Sequence, residues 1–167
     1  MKRHMNKIFA ILTAILLLSS CSGTAGGGGA SEGETGGFYF KAPTAGGTEI
    51  RIGDDMSEVL ASLGEPLKYF EAASCAFNGL DKTYTYSGFV ITTRPDGERD
   101  LVNSILLTDD SASTVEGVYI GCSAERAADA YPSCEKLENV IRAEKGGTAI
   151  NMIIKDGAVI SIEYIPA

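Results

Sequence analysis

Hydrophobic positions follow regular spacings over most of the chain after residue 38, and they predict two short helices and six strands. An apolar spacing of i, i+3, i+4, i+7 recurs in 56–63 and in 124–131, which predicts two amphipathic helices. Asp55 and Ser123 directly precede these segments and are suitable N-cap residues. Alternating segments separated by glycine-containing turns predict strands at 82–87, 89–94, 101–108, 139–144, 148–155 and 158–165.

The segment 137–144 fits two kinds of element. Its apolar positions also have helical spacing, with Ser133 as an N-cap and Gly146 as a terminator. We favour a strand because the first half of the chain has one at the matching place. A helix over the same residues is the alternative.

The chain contains two stretches that resemble each other. Residues 50–63 match 118–131, which lie 68 positions later, and residues 102–107 match 159–164, which lie 57 positions later. Chance similarity of short amphipathic patterns is the alternative. We therefore predict an α+β fold of two tandem helix-plus-antiparallel-meander units, with the helices on one face of the sheet or sheets. The two units are predicted to span 38–117 and 118–167.

The same alternation assigns side chains to the two faces of the predicted sheet. Ile105 and Leu107, with their matches in the second unit, are expected to face the helices. The opposite face then stays open to solvent and to a binding partner. Tyr84 and Tyr86 are of a type enriched at interfaces, although packing under a helix is the alternative. The candidate binding face comprises Tyr84, Tyr86, Ser104, Leu106, Ser161 and Glu163.

The N-terminus has the features of a bacterial lipoprotein signal. Basic residues precede an apolar run at 8–18, which is shorter than the roughly 20 residues that cross a bilayer. The run ends in Leu-Ser-Ser followed by Cys21. We predict a signal peptide at 1–20 and lipidation of Cys21, which would anchor the protein to the extracytoplasmic face of the cell membrane. An ordinary secretory signal or a retained helical anchor is the alternative.

The segment 21–37 is predicted to contain the lipidated cysteine and a flexible linker. Eight of the sixteen residues in 22–37 are glycine, and such a coil spans about 20–24 Å. Removal of 1–20 leaves 11 Lys and Arg against 22 Asp and Glu, a formal charge of −11. This charge disfavours a nucleic-acid partner, because phosphate binding needs clustered cations. We expect the membrane to hold the chain through the lipid, with a protein as the further partner.

The mature chain would contain no histidine, because His4 lies in the signal. This excludes the usual Ser-His-Asp and Cys-His catalytic groups and histidine-bearing metal sites, so we predict no catalytic residue, metal or cofactor. Cys122 and Cys134 flank a predicted helix and would lie about 18 Å apart, too far for a disulfide. Any bond would therefore pair Cys75 with Cys122 or Cys134; three free thiols are the alternative.

Two stretches carry a resemblance to known families. Residues 74–86 read Ser-Cys-Ala-Phe-Asn-Gly-Leu-Asp-Lys-Thr-Tyr-Thr-Tyr, and 109–121 read Asp-Asp-Ser-Ala-Ser-Thr-Val-Glu-Gly-Val-Tyr-Ile-Gly. They look similar to a group of uncharacterised Firmicutes-type lipoproteins. The helix-plus-meander doublet also resembles the β-lactamase-inhibitor-protein-like fold and the SmpA/OmlA-like outer-membrane-assembly lipoproteins. The resemblance covers about 48–165 and implies a tandem fold without a known catalytic residue.

Together these features favour a membrane-anchored extracytoplasmic lipoprotein, a non-enzymatic domain that binds a protein or an envelope component. The alternative from another class is a carboxylate-dependent cell-envelope hydrolase, which needs two acids facing each other in a pocket. A spacer without a specific ligand is a third interpretation.

Overall fold

A computed structural model describes residues 36–43 and 46–167, so the predicted signal peptide, Cys21 and the linker up to residue 35 lie outside the described residues. The first two strands form a small separate sheet. They are β1 (Phe40–Lys41) and β2 (Glu49–Ile50). The first helix and four longer strands follow: α1 (Met56–Leu63), β3 (Lys68–Ala73), β4 (Leu80–Tyr86), β5 (Phe89–Asp96) and β6 (Arg99–Leu107). The remaining elements are α2 (Ala124–Ala130), β7 (Glu135–Lys136), β8 (Val140–Lys145), β9 (Thr148–Lys155) and β10 (Ala158–Pro166).

Eight strands form one antiparallel sheet in the order β3-β4-β5-β6-β10-β9-β8-β7. Each half of the chain contributes four neighbouring strands, and the two sets meet where β6 pairs with β10. Three residue pairs form this junction: Leu107 with Ile162, Leu106 with Glu163, and Ile105 with Tyr164. Within the described residues, neither helix is long and apolar enough to cross a membrane.

The predicted fold class is wrong. The described chain is mostly β, with 48% strand against 12% helix, and it is not a balanced α+β fold with helices layered on the sheet face. The longer helix has eight residues and is about 12 Å long, whereas eight strands extend about 34 Å across. Only Met56, Val59 and Ala127 are buried from the two helices. Helices of this length are too small to form a covering layer.

Other segments supply much of the cover over the sheet. Phe40 and Ile50 of the β1–β2 pair are fully buried. The ring centroid of Phe40 lies 4.9 Å from that of Phe89 and 6.0 Å from that of Tyr164. The loop 108–122 adds three more buried side chains to the same core, Ala112, Val118 and Cys122.

The covered face of the sheet is built from cross-strand neighbours. Ile105, Leu107, Ile162 and Tyr164, which were predicted to face the helices, are buried there in the same core as Met56, Val59 and Ala127 of the two helices. Burial of a large apolar side chain contributes about 1.5–3 kcal/mol, so this face dominates the stability of the fold. Two rows cross it: Tyr86, Phe89, Leu107, Ile162, Met152 and Ile141, and then Tyr84, Ile91, Ile105, Tyr164, Ile150 and Ala143.

The individual elements agree better with the sequence than the fold class does. Both predicted helices and all six predicted strands are present, with small differences at their ends. Residues 140–144 of the segment 137–144 lie in the strand β8, and the alternative of a helix is wrong. None of the six predicted strands corresponds to β1, β2, β3 or β7.

Both halves connect their helix to the sheet through the same hydrogen bonds. The Gly53 N–H donates to the Val102 carbonyl at 2.8 Å, and the Gly121 N–H donates to the Val159 carbonyl at 2.7 Å. The N–H groups of Val102 and Val159 donate back to the loops before the helices, both at 2.9 Å. These positions differ by 68 and 57, the two offsets found in the sequence. The division into units at 38–117 and 118–167 stays a prediction.

Candidate functional site

The six residues of the predicted binding face lie on different faces of the sheet. Tyr84 and Tyr86 belong to the core, where they are 6% and 8% exposed. Burial raises the pKa of both phenols. The Tyr86 hydroxyl donates to the Gly64 carbonyl at 3.1 Å, at the end of α1. These two tyrosines therefore pack in the core and are not part of an open binding face.

Ser104, Leu106, Ser161 and Glu163 lie on the opposite face, which neither α1 nor α2 covers. Leu106 and Glu163 are direct partners across the β6–β10 junction. Ser104 is buried, and its hydroxyl shares a hydrogen bond of 2.9 Å with that of Thr92. The other three side chains are half-buried. The structure thus brings these four residues to one surface, but it exposes them only in part.

Polar side chains further along this face are also engaged with one another. The Arg142 guanidinium donates to Asn151 Oδ1 at 2.9 Å and to Glu144 Oε1 at 2.6 Å. These contacts leave fewer free donors and acceptors for a ligand. The centre of this face is therefore not the most accessible surface.

Among the described residues, the most exposed apolar surface is the outer edge of the sheet, which the hydrophobic spacing did not predict. All six residues of β3 are exposed, and Tyr69 and Phe70 are 50% and 66% exposed. Leu67, just before the strand, is 72% exposed. Among residues 36–43 and 46–167, no strand pairs with the outer side of β3. The opposite edge is different, because β7 has two residues and both are charged, which protects an edge from pairing.

A signal for this strand is present in the sequence. Gly64 and Pro66 follow the preceding helix, and the adjacent aromatic residues Tyr69 and Phe70 favour extended structure. The strand has no alternation of buried and exposed positions, because none of its residues is buried. The pattern used to find the other strands therefore has nothing to detect here.

A polar group lies beside β3 on the covered side of the sheet. The Tyr69 ring packs against Tyr84, with centroids 5.2 Å apart. The Tyr69 hydroxyl donates to the Glu71 carboxylate, and this bond raises the pKa of the phenol. Lys82 Nζ lies 2.6 Å from Asp100 Oδ2, and this hydrogen bond raises the pKa of the ammonium group. Lys82 is thus already held by one carboxylate, while Glu71 receives a neutral donor.

A shallow cavity of about 500 Å³ lies between this polar group and the start of α1. Asp55 lines it and caps the helix, since its carboxylate accepts the Ser57 hydroxyl at 2.7 Å and the Ser57 N–H at 3.0 Å. These hydrogen bonds lower the pKa of Asp55. Arg99, also in the lining, is paired with Asp96 at 2.6 Å. The charged groups here chiefly stabilise the local structure.

Two further apolar side chains lie near the tip of the β3–β4 hairpin. Phe77 is in the turn before β4, and the Arg94 guanidinium carbon lies 5.6 Å from its ring centroid. Leu80 begins β4 and is also exposed. We use the name β3 edge surface for the β3 backbone together with the exposed side chains of Leu67, Tyr69, Phe70, Phe77 and Leu80.

A second cavity, of about 310 Å³, lies next to the end of α2. The rings of Phe38 and Tyr131 meet there edge to face, with centroids 5.5 Å apart. The Tyr131 hydroxyl donates to Glu116 Oε2 at 2.6 Å, and burial is the main cause that raises the pKa of this phenol. Cys134 also lines the cavity.

The three described cysteines are free thiols. Cys75 is exposed in the turn between β3 and β4, Cys122 is buried before α2, and Cys134 is half-buried after it. The structure forms no bond between Cys75 and either of the other two. This arrangement corresponds to the alternative of three free thiols.

Comparison with known proteins gives no relative for this chain. The resemblance to lipoproteins and to the β-lactamase-inhibitor-protein-like fold therefore stays a prediction. No family model, curated protein or solved structure matches the chain.

Proposed function

We propose that the protein is a lipid-anchored extracytoplasmic binding module that holds a protein partner at the β3 edge surface. The observation that carries this proposal is that all six residues of β3 are exposed, with Tyr69 and Phe70 about half and two thirds exposed. Single exposed apolar residues are common on proteins. A long exposed edge strand with aromatic side chains is instead a pairing surface that proteins usually protect.

The N-terminal sequence supports the anchored part of the proposal. Lipidation at Cys21 would fix the chain to the membrane, and the glycine-rich 22–37 would separate the folded domain from the lipid by about 20–24 Å. A tether of this kind presents the domain to partners near the membrane. The β3 edge surface then supplies the contact.

Three carboxyl groups of the described residues are unsuited to act as the general acid of a carboxylate-dependent hydrolase. Hydrogen bonds lower the pKa of Asp55, Asp109 and Glu125. A general acid needs a raised pKa, so these three groups would be ionised at neutral pH and unsuited to that task. Asp55 and Glu125 lie at helix starts, and Asp109 accepts hydrogen bonds from Ser111.

Site-specific photocrosslinking in native membranes tests the proposal. A photoreactive phenylalanine analogue placed at Phe70 should give a discrete adduct with a membrane or envelope protein. The same analogue placed at Leu137 is the control, because Leu137 is 52% exposed but lies beside the protected β7 edge. Adducts of equal yield at both positions, or none at Phe70, would contradict the proposal.

A further inference from the structure

We infer that the partner contributes a basic, extended segment that adds to β3 as a ninth strand of the sheet. This inference rests on the proposed function and specifies how the partner binds and what its chemistry is. It follows from the direction of the free backbone groups on β3 and from the charges around them.

The backbone of β3 presents hydrogen-bonding groups to the outside. The Ser74 N–H donates to the Gly79 carbonyl at 3.0 Å, which makes Ser74 and Gly79 a hydrogen-bonded pair of the β3–β4 ladder. In an antiparallel ladder such pairs alternate with pairs whose backbone groups point away from the partner strand. Ala72 and Phe70 are therefore also in hydrogen-bonded pairs with β4. The residues that alternate with them, Tyr69, Glu71 and Ala73, direct their N–H and C=O groups away from β4.

These outward groups fit an extended chain. They occur at every second residue, so they repeat at about 6.8 Å, the spacing that an adjacent strand presents in return. A helix uses its own backbone groups internally and offers no matching row. Strand addition to a free edge is an established mode of peptide recognition, in which main-chain bonds give affinity and alternate side chains give specificity.

The charges favour a basic segment over a second copy of this chain. Residues 36–167 contain 11 Lys and Arg against 20 Asp and Glu, a formal charge of −9. Two copies would therefore repel each other. On the covered side of the edge, Glu71 forms none of the ion pairs found among the described residues. A Lys or Arg directly opposite Glu71 on an added strand would lie within reach of it.

The two sides of the added strand would carry different residues. Side chains on one side meet Tyr69 and Glu71, where a basic residue fits. Side chains on the other side meet Phe70, whose partner on β4 is Thr83, and an apolar residue fits there. The segment is thus expected to alternate basic and apolar positions, the pattern of a strand that lies on a half-exposed surface.

Amide hydrogen exchange on the purified full chain tests the backbone contact with a defined probe. The probe is an eight-residue peptide that alternates Lys and Val, and the control peptide alternates Glu and Val. Saturating Lys-Val peptide should slow exchange about tenfold at the amides of Tyr69, Glu71 and Ala73. The amides of Phe70 and Ala72, which point towards β4, should change much less. No protection at the three outward amides at millimolar peptide, or equal protection by the Glu-Val peptide, would overturn the inference.

A proline variant tests the same contact with the natural partner. Ala73→Pro removes only an outward N–H, a change that an edge strand tolerates, while Ala73→Val keeps this group. The photocrosslinked adduct at Phe70 should fall about tenfold for Ala73→Pro and persist for Ala73→Val, with matching melting temperatures showing that both are folded.

The contrary outcomes separate the inference from the proposed function. Persistence of the adduct in both variants overturns strand addition but leaves the proposed function intact. Absence of an adduct in the unchanged chain refutes the proposed function itself. An adduct between two copies of this chain, or slow exchange at the outward amides without peptide, would also overturn the inference.

Discussion

Two buried tyrosines show how the surroundings of one hydroxyl determine its effect on the fold. Tyr164 is 1% exposed, and its hydroxyl has no hydrogen-bond partner among the residues that the structure describes. Tyr131 is also buried, but its hydroxyl donates to Glu116. A buried polar group without a partner loses its hydration and gains nothing in exchange. The two hydroxyls should therefore affect stability in opposite directions.

Matched phenylalanine substitutions test this difference. Tyr131→Phe should lower the free energy of unfolding by about 1 kcal/mol, because it removes a hydrogen bond and leaves Glu116 without its donor. Tyr164→Phe should leave the free energy of unfolding unchanged or raise it by up to about 1 kcal/mol. Urea unfolding followed by circular dichroism measures both. Equal destabilisation by the two substitutions would show that the Tyr164 hydroxyl has a stabilising partner.

Among the elements, two tight turns place different demands on their glycines. Gly88, between β4 and β5, has a φ of 83°, and a Cβ there would meet the Ser111 side chain. Gly97, between β5 and β6, has a φ of 66°, and a Cβ there would meet no atom within 4 Å. Both turns need the left-handed conformation, but only the first is also packed against the loop 108–122.

Alanine substitutions at the two glycines should separate these effects. Gly97→Ala should cost about 1–2 kcal/mol, the price of the left-handed conformation alone. Gly88→Ala should cost at least about 1 kcal/mol more, because the loop carrying Ser111 must move. Chemical unfolding of the two variants provides the comparison. A smaller loss for Gly88→Ala than for Gly97→Ala would mean that this loop does not pack on the turn.

The sequence predicted those elements that have one buried side and a glycine-containing turn. Strands β4 to β6 and β8 to β10 meet both conditions, and all six were predicted. Strand β3 has no buried residue, and β1 and β2 have two residues each, so hydrophobic spacing carries no information about them. Alternation also placed Tyr84 and Tyr86 on one common side without revealing which side would be covered.

At the scale of the whole molecule, the decisive feature is the β6–β10 junction, which joins the two halves into one sheet. Leu107 and Ile162, which pair there, are 55 positions apart in the chain. Local spacing cannot specify which strand edges meet over such a distance, so the sequence left open whether there would be one sheet or two. The same limit explains the fold-class error, because the cover from β1, β2 and 108–122 also depends on long-range contacts.

Alkaline solution should unfold the whole molecule cooperatively. Burial raises the pKa of Tyr84, Tyr86, Tyr131 and Tyr164 above the ordinary value of 10.0. The folded state therefore favours their protonated forms, so their contribution to stability is complete below pH 10 and decreases as the pH rises further. The tyrosinate absorbance of these residues should increase together with the loss of the near-ultraviolet circular dichroism. A complete increase of this absorbance in a protein that is still folded would contradict the prediction.

Attachment to the membrane should depend on one residue of the N-terminal sequence. Cys21→Ala removes the predicted site of lipidation, and the protein should move from the membrane fraction to the soluble fraction. Cys75→Ala is the matched control, because it removes an exposed thiol and leaves the N-terminal sequence unchanged. Fractionation of cells that express each variant measures the distribution. Unchanged membrane retention of Cys21→Ala would refute the anchor.

The position of β10 between β6 and β9 has a consequence for how a newly made chain reaches its final state. Ribosomes release the chain from its N-terminus, so this central strand emerges after every other strand described. Until β10 is made, β6 is an unpaired edge strand, as β3 is. The strands of the first half, β3 to β6, then cannot join those of the second half in one sheet. Folding would therefore finish only after β10 has been made, and a nascent or clipped chain without residues 158–166 would remain prone to aggregation.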